Sequence, residues 1–325
     1  MKLNSGVEIG QNEKPFIIAE VGSNWNNIDD CMFSIKAAKM ANASAVKFQL
    51  FSHRDLFGEE QSGTNTKELP RGWVPALARE CEVQGIEFMC SVFSPDGLKF
   101  IDPFVNIHKI ASAEMTHVRL LEAAKESDKP VILSTGAHGL EDIKRSLGYL
   151  HHDKTILMYC VAAYPAKQIF LESINILRDT FQCDVGYSDH SLESITIPRM
   201  AISHGAVVLE KHVNFSGVDS PDSPHSLDFL EFKAMIEHLH KARHNFTWNK
   251  EEEPMVLKHN RRLIATSNLR PGDKLQEGVN FGIYRSKNRE TKALSAFVID
   301  EVNGKFIKNP IKAFEGIGPF DIETI

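Results

Sequence analysis

Residues 206–215 read AVVLEKHVNF, in which four apolar residues stand directly before three ionisable ones. An apolar run of this kind is typical of a strand in a parallel sheet that is covered on both faces. Glu210, Lys211 and His212 then follow without a break, although burying a charge without a partner is costly. Either the strand reaches solvent at this point or its carboxyl end is part of a functional site. The sequences of the other strands distinguish these two possibilities.

Seven further segments resemble this one, because each is a short run rich in Val, Ile or Phe with turn residues on either side. They lie at 16–22, 44–51, 85–93, 106–114, 130–136, 155–162 and 184–190. Segments with helical spacing of apolar residues separate them, as in CMFSIKAAKMANA at 31–43. Eight strand–helix repeats over about 240 residues predict an α/β fold, the (β/α)8 TIM barrel. A doubly wound sheet is disfavoured, because no glycine fingerprint or phosphate-loop motif follows the first strand.

The alternation of strand and helix patterns ends near residue 246. We predict a catalytic barrel at 1–246, a linker at 247–260 and a small, mostly β domain at 261–325. The linker carries the acidic run Glu251–Glu253 followed by Pro254, and the small domain contains a turn signal at Pro271-Gly272. A domain of about 65 residues is too small to hold many catalytic residues by itself, so we expect the active site in the barrel.

Composition excludes several classes of protein. The 325 residues have a formal net charge of -6, which favours neither a nucleic-acid nor an anionic-membrane partner. No stretch approaches the roughly 20 apolar residues that span a bilayer, and the amino-terminal residues lack a secretory signal, so we expect a cytoplasmic protein. The five cysteines form no CxxC pair and predict buried thiols, with a nucleophile at Cys90 or Cys160 as the alternative.

Polar residues gather where the predicted strands end, and in a TIM barrel those ends form the active site. Chance would scatter such residues over both ends of the strands, so we favour a functional site. The residues are Glu20, Lys47, Gln49, Ser91, Lys109, Ser112, Glu114, Ser134, Thr135, Tyr164, Ser188, Asp189, His190, Glu210 and His212.

Two histidines among these residues predict a metal site. His190 and His212 follow successive strands, and two imidazoles with oxygen ligands suit a divalent transition metal such as Mn, Co, Fe or Zn. Glu210 and Asp222 are candidates for an orienting or proton-transferring carboxylate. The alternative is that each histidine only forms hydrogen bonds within the barrel.

Two lysines predict an anionic substrate. Lys47 and Lys109, together with several serine hydroxyls, suit a phosphate and a carboxylate, which both need charge-assisted donors. One alternative pairs the lysines with Glu20 and Glu114 in internal ion pairs. Another makes Lys109 a Schiff-base lysine, since burial lowers the pKa of an amine into the nucleophilic range.

The ordered set of motifs resembles the N-acetylneuraminate (sialic acid) synthase family. The motifs are FIIAEVGSNWNN, AVKFQLF, HKIASAE, KPVILSTG, YCVAAYP, VGYSDHS and LEKHV. The stretch from RRLIATSNLRPGDKL onward resembles the antifreeze-like (SAF) domain of those synthases. The resemblance covers nearly the whole chain and implies condensation of phosphoenolpyruvate with an N-acylmannosamine-type aldehyde sugar, which gives a nine-carbon 2-keto acid and phosphate.

The resemblance also implies roles for single residues. It makes His190 and His212 ligands of a divalent ion, usually manganese, with magnesium or cobalt as alternatives. It assigns the catalytic carboxylates to Glu20, Glu114, Glu210 and Asp222. It assigns substrate binding to Lys47, Gln49, Ser91, Lys109, Ser112, Ser134, Tyr164, Ser188 and Arg285.

The same resemblance implies a domain-swapped homodimer, in which the small domain of one subunit delivers Arg285 toward the sugar of its partner. Three departures from the family pattern bear on the identity of that sugar. Trp25 interrupts a turn that often contains histidine, Ala162 replaces a polar residue, and SKNRE replaces Pro-Gly after Arg285. We expect a bulky indole near the pocket to select a different nonulosonic-acid precursor.

Three other functions compete with this interpretation. A related phosphoenolpyruvate–sugar synthase would use a phosphorylated aldose, but such enzymes usually lack the small domain. A Schiff-base aldolase would act through Lys109. An ice- or carbohydrate-binding protein would use the small domain, which has no regular array of threonines.

Overall fold

The computed structural model describes residues 1–58, 67–242, 261–285 and 293–323. The chain divides into two compact units, Met1–His244 and Asn245–Ile325. Our predicted division lies two residues later, after residue 246. The predicted linker at 247–260 lies outside the described residues.

The first unit is a closed barrel of eight parallel strands, in which each strand pairs with the next and the last pairs with the first. The strands are β1 (Phe16–Glu20), β2 (Ala45–Leu50), β3 (Glu87–Val92), β4 (His108–Ile110), β5 (Val131–Ser134), β6 (Thr155–Cys160), β7 (Val185–Asp189) and β8 (Val208–His212). The predicted (β/α)8 barrel is confirmed.

Helices connect the strands. They are α1 (Ile28–Met40), α2 (His53–Phe57), α3 (Val74–Gln84), α4 (Pro95–Ile101), α5 (Val118–Glu126), α6 (Leu140–Leu147), α7 (Glu172–Phe181), α8 (Thr196–Ser203) and α9 (Phe229–Ala242). Helix α1 begins at a capping box, in which Asn27 and Asp30 each accept a hydrogen bond from the other's backbone N–H. None of the helices in the described ranges is long and apolar enough to cross a membrane.

The strand period of two divides the strand residues between two faces. Ile18, Met89 and Val208 belong to an apolar cluster inside the barrel. Leu209 belongs to the larger cluster that contains the apolar residues of the surrounding helices. On β8 the alternation therefore points Glu210 and His212 into the barrel and Lys211 outward. The three ionisable groups at the end of this strand do not share one environment.

The second unit contains an antiparallel pair of strands, β9 (Arg261–Ala265) and β10 (Phe281–Arg285), and the short helix α10 (Ile299–Val302). Isolated bridges such as Leu269–Ile311 and Ile307–Ile322 extend the β pairing. Its own core includes Leu263, Phe281 and Val302, which are fully buried. The unit has the β character predicted for it, and its identity as an antifreeze-like domain stays a prediction.

Candidate active site

A polar pocket lies at the carboxyl ends of the barrel strands. Its volume is about 60 Å³. Twelve of the residues predicted from the sequence line it: Glu20, Lys47, Gln49, Ser91, Lys109, Ser112, Ser134, Tyr164, Ser188, His190, Glu210 and His212. Phe93, Ala111 and Cys160 complete the lining. The period of two explains this convergence, because these strand residues share the inward face of the barrel.

A larger cavity, of about 660 Å³, lies at the amino ends of β2, β3 and β4. Its charged groups already have partners, since Arg79 pairs with Glu82 at 2.5 Å and Asn106 donates a hydrogen bond to Glu87 at 3.0 Å. Volume alone therefore does not indicate the functional site. The unusual concentration of buried charge places it at the carboxyl ends of the strands.

Lys47 is the centre of the buried charge. Its Nζ lies 3.0 Å from Oε2 of Glu20 and 3.2 Å from Oε2 of Glu210, and it donates a hydrogen bond to the Ser91 hydroxyl at 2.9 Å. All three residues that carry charge are at least 95% buried. Neither Glu20 Oε2 nor Glu210 Oε2 receives an aligned hydrogen bond from the described residues. The network is therefore compact but incompletely satisfied.

The two carboxyl groups that share Lys47 have pKa values displaced in opposite directions. Burial raises the pKa of Glu20 and outweighs its contact with Lys47, and the nearby charge of Glu210 raises it further. Burial also acts against ionisation of Glu210, but Lys109, Lys47 and His212 together lower its pKa. Divergent pKa values in neighbouring carboxyl groups are the usual basis of separate acid and base roles.

Lys109 occupies the other side of the pocket. Its Nζ donates to the Ser134 hydroxyl at 2.8 Å and lies 3.8 Å from Oε1 of Glu210. Burial lowers the pKa of Lys109, which agrees with either anion binding or the Schiff-base alternative. Burial raises the pKa of the Cys90 and Cys160 thiols, so neither is held as the reactive thiolate and the nucleophile alternative gains no support.

His190 and His212 face one another across the pocket, with their ring centroids 5.8 Å apart. The Nδ1 of His190 lies 2.7 Å from the carbonyl of Val161, which can only accept, so Nδ1 carries the proton and Nε2 presents a lone pair. This Nε2 lies 3.2 Å from the Ser188 hydroxyl, which is also 2.9 Å from Glu210 Oε1. Burial lowers the pKa of His190 and takes that of His212 to about 3, so both imidazoles are neutral at pH 7.

Asp222 lies beside His212 rather than in the pocket lining. Burial alone would raise its pKa, but its contacts with His225 and His212 and hydrogen bonds from Ser23 lower the pKa and hold the carboxylate ionised. Its close approach depends on Gly22, which has a φ of +55°. A Cβ at this position would lie 2.2 Å from Asp222 Oδ2, so any other residue would displace the carboxylate.

Tyr164 covers part of the pocket. Its ring stacks on His190 with centroids 4.2 Å apart and lies 4.9 Å from the ring of His225. More than half of the Tyr164 residue is exposed, and burial of its hydroxyl region raises the pKa of the phenol. Gln49 donates a hydrogen bond to Glu20 Oε1 at 2.6 Å and so holds this carboxyl group in place.

Glu114, Arg285, Trp25 and Ala162 are the remaining residues that the sequence interpretation singled out. Glu114 is half-buried in the turn after β4 and is not among the residues that line the pocket. Arg285 is the last residue of β10 in the second unit, and its side chain and SKNRE lie outside the described residues. Trp25, which we expected near the pocket, is buried, packs edge-on against Trp73 and is not among the residues that line the pocket. Ala162 is exposed.

The sequence interpretation missed His225. It is 7% exposed and lies three residues after Asp222, with its ring centroid 4.8 Å from that of His212. A signal was present, because a histidine near a predicted site carboxylate is a candidate ligand. The loop conformation that brings it to His212 could not be read from that spacing.

Comparisons with known proteins show the family of this chain. A model of the NeuB family matches residues 34–250. A pseudaminic acid synthase from Campylobacter jejuni is 30% identical over 82% of this chain and 85% of that protein. An N,N'-diacetyllegionaminic acid synthase from Legionella pneumophila is 31% identical over 74% of this chain and 76% of that protein.

The fold comparison leads to the same relatives. The crystal structure of an N-acetylneuraminic acid (sialic acid) synthetase from Leptospira borgpetersenii, in complex with citrate, has a TM-score of 0.72. It is 28% identical, and the match covers 79% of this chain and 94% of that chain. This chain is an enzyme that belongs to the NeuB family.

Proposed function

We propose that this enzyme condenses phosphoenolpyruvate with an unphosphorylated N-acylmannosamine-type aldehyde sugar to give a nine-carbon 2-keto acid and phosphate. The observation that carries the proposal is the convergence of Lys47 and Lys109 on a pocket that also holds Glu20 and Glu210. Two buried ammonium groups suit a substrate with two anionic groups. The names of the relatives support the choice of a sugar as the acceptor.

The lysines and serines bind the anions of phosphoenolpyruvate. Lys109 and Ser134 form one pair of donors, and Lys47 and Ser91 form another. Substrate anions would exchange with the carboxylate oxygens that these ammonium groups now contact, so binding costs little new desolvation of the lysines. Charge-assisted hydrogen bonds in a buried pocket fix the position of the enol carbon that attacks the aldehyde.

Glu20 and Glu210 act as the proton donor and the proton acceptor of the proposed reaction. Carbon 3 of phosphoenolpyruvate forms a bond to the aldehyde carbon, water adds at carbon 2, and the resulting tetrahedral intermediate releases phosphate. The raised pKa of Glu20 suits a group that donates a proton to the aldehyde oxygen as the C–C bond forms. The ionised Glu210 suits the group that accepts a proton from the attacking water.

The site also fits a divalent ion. Neutral imidazoles at His190 and His212 provide nitrogen lone pairs, and Asp222 provides an ionised oxygen, which is a donor set suited to manganese or cobalt. When bound, such an ion would act as a Lewis acid on the aldehyde oxygen. His190 would present Nε2, because its Nδ1 is occupied by the Val161 carbonyl.

The proposal includes the dimer that the sequence interpretation suggested, with Arg285 of one subunit acting on the sugar of its partner. An Arg285→Lys substitution would then raise the KM for the sugar and leave the KM for phosphoenolpyruvate unchanged. Light scattering would measure the mass of the assembly. A monomer with full activity would contradict this part of the proposal.

The test is phosphate release from phosphoenolpyruvate by metal-stripped protein, with and without manganese, across a panel of sugars. The panel contains N-acetylmannosamine, its 6-phosphate, diacetamido-trideoxyhexoses and arabinose 5-phosphate. Manganese-dependent release with an unphosphorylated hexosamine, together with a keto acid of the summed mass, supports the proposal. Release only with a phosphorylated sugar assigns the enzyme to the related class of synthases. A covalent adduct trapped on Lys109 by borohydride would instead support the Schiff-base alternative.

A further inference from the structure

Two phenylalanine rings lie on the side of the pocket that β2 and β3 form. Phe93 is part of the pocket lining, and the ring of Phe51 packs edge-on against it with the centroids 5.3 Å apart. Both residues are half-buried, and neither is among the residues of the two apolar clusters of the barrel. The proposed reaction gives no role to either ring. An apolar surface in a pocket with convergent polar groups is typical of a small-molecule site, in which it contacts apolar parts of the ligand.

The strand period of two explains why the rings lie at the pocket. Gln49 of β2 is paired with Ser91 of β3, and both residues line the pocket. Phe51 and Phe93 follow two residues later, so the alternation gives them the same inward direction, and two residues of a strand span about 7 Å. The rings therefore form the next layer toward the open end of the barrel. Because the anions of phosphoenolpyruvate bind beside Lys47 in the proposed reaction, the rings border the space that is left for the acceptor sugar.

The residues that directly follow the two rings are connected through Asp55. Its Oδ2 accepts hydrogen bonds from the backbone N–H and from the hydroxyl of Ser52, each at 2.8 Å. Burial alone would raise the pKa of Asp55, but its contacts with the Ser52 and Ser94 hydroxyls lower the pKa and hold the carboxylate ionised. Ser52 follows the first ring in the sequence and Ser94 follows the second. This connection holds the two rings in one arrangement, which a selective binding site requires.

A phenyl ring selects apolar parts of a sugar. It has no conventional hydrogen-bonding group, so a sugar hydroxyl placed against it would lose water without gaining a partner. A methyl group at the same place would bury apolar surface and would be favoured. An N-acylmannosamine-type sugar can carry a methyl group on its acyl substituent, and a deoxy sugar carries one at the end of its carbon chain.

We propose that Phe93 is a specificity-determining residue that packs against a methyl group of the acceptor sugar, with Phe51 holding its ring in place. The inference rests on the proposed function, because it concerns the acceptor of that reaction. The alternative is that the two rings only pack against each other and stabilise the barrel. Their separation from both apolar clusters argues against this alternative. The experiments also distinguish the two sources of the methyl group.

The first experiment compares kcat/KM within two pairs of sugars, N-acetylmannosamine with its 6-deoxy analogue and N-acetylmannosamine with N-formylmannosamine. We expect at least one pair to favour the sugar with the additional methyl group by about tenfold or more, since one such group in an apolar site contributes that much. In Phe93→Ala this ratio should approach one, whereas the KM for phosphoenolpyruvate should not change. The matched control is Phe33→Ala on the surface of α1, which should keep the ratio. Ratios in Phe93→Ala equal to those of the unsubstituted enzyme would overturn the inference, because damage to the fold lowers the rates with all sugars together.

A second measurement needs no turnover and remains decisive if Phe93→Ala does not fold. Saturation-transfer NMR on the metal-stripped full chain, with phosphoenolpyruvate and 6-deoxy-N-acetylmannosamine, would irradiate the aromatic protons and record which sugar methyl receives the signal. Phe93→Leu keeps an apolar side chain but has no aromatic protons, so we expect the transfer to one methyl group to weaken. Phe33→Leu should leave it unchanged. Equal transfer in Phe93→Leu and the unsubstituted chain, or no transfer to either methyl group in the unsubstituted chain, overturns the inference.

Assays on the same samples separate this inference from the proposed function. If transfer to a sugar methyl depends on Phe93 and no sugar supports phosphate release, the proposed function fails and the contact with the methyl group stands. If manganese-dependent synthesis occurs and Phe93→Ala leaves both ratios unchanged, the inference fails and the proposed function stands.

Discussion

Two buried ion networks meet on β8 and face opposite sides of the barrel wall. The inner network joins Lys47 to Glu20 and Glu210, and one oxygen of each carboxyl group receives no aligned hydrogen bond from the part of the chain that the structure describes. In the outer network, Lys211 donates to Asp189 Oδ2 at 2.8 Å and to the carbonyls of Ser191 and Glu193. Lys211 and Asp189 are completely buried.

The two networks differ in how many of their donors and acceptors have hydrogen-bond partners. Three acceptors occupy the three N–H donors of Lys211, and the other oxygen of Asp189 accepts from Tyr187 and from the backbone of Ser191. A fully satisfied network rigidifies a fold, whereas a partly satisfied one keeps binding capacity. The outer pair joins β7 to β8 at the residues directly before His190 and His212. It therefore holds the ends of these two strands together, whereas the inner network is the part that we propose to bind the substrate.

The largest expected effect follows from breaking the outer pair. Lys211→Met leaves the Asp189 carboxylate buried without a cation, which we expect to lower the free energy of unfolding by about 3–5 kcal/mol. Urea unfolding monitored by circular dichroism measures the loss. The double variant Asp189→Asn with Lys211→Met removes both charges and should regain part of it. A loss below about 1 kcal/mol in the single variant would show that the pair is not a structural tie.

Breaking the inner network should affect catalysis instead. Lys109→Met removes one of the two proposed donors to the anionic substrate, and we expect kcat/KM for phosphoenolpyruvate to fall by about 10²–10³. Stability should change little, because Glu210 keeps its contact with Lys47. Lys36→Met, on the surface of α1, is the matched control. Activity within tenfold of the unsubstituted enzyme would remove Lys109 from the binding site.

These two networks show which features of the site could be predicted from the sequence and which could not. The alternation in LEKH indicates from the period of two alone that Glu210 and His212 share one face of the strand and that Lys211 lies on the other. Hydrophobicity gives no sign that Lys211 finds Asp189, because this contact depends on the register of β7 with β8. The parallel strands and the convergence of their ends follow from local pattern. The partners of single side chains follow from register, which the sequence does not show.

The missed and misplaced residues are in loops. His225 reaches His212 because Ser23 and Asn24, about 200 positions earlier in the chain, hold its segment in place. Trp25 is buried, and its indole donates a hydrogen bond to the Gly22 carbonyl at 3.0 Å. Such contacts between distant loops leave no periodic signal in either segment.

A smaller effect is expected where Tyr164 borders the site. Its ring offers an exposed face beside the inner network, and aromatic stacking contributes about 0.5–1.5 kcal/mol. Tyr164→Ala should therefore raise the KM for the sugar up to about tenfold, whereas Tyr164→Phe keeps the ring and should leave the KM near its original value. Steady-state kinetics with saturating phosphoenolpyruvate measures both. Equal increases in the two variants would assign the effect to the hydroxyl rather than to the ring.

The smallest effect concerns His108, a buried histidine at the amino end of β4 that is not among the residues that line the pocket. Its Nε2 lies 2.9 Å from both Asp102 Oδ1 and Ser127 Oγ, yet burial lowers its pKa below the ordinary value of 6.5. Because the folded pKa is depressed, its stabilising contribution is complete above pH 6.5 and is lost as the pH falls toward the folded pKa. When the pH falls from above 6.5 to below it, His108→Gln should lose less unfolding free energy than the unsubstituted chain, as measured by urea unfolding. Parallel pH profiles for the two proteins would show that protonation of His108 does not limit the stability of the barrel.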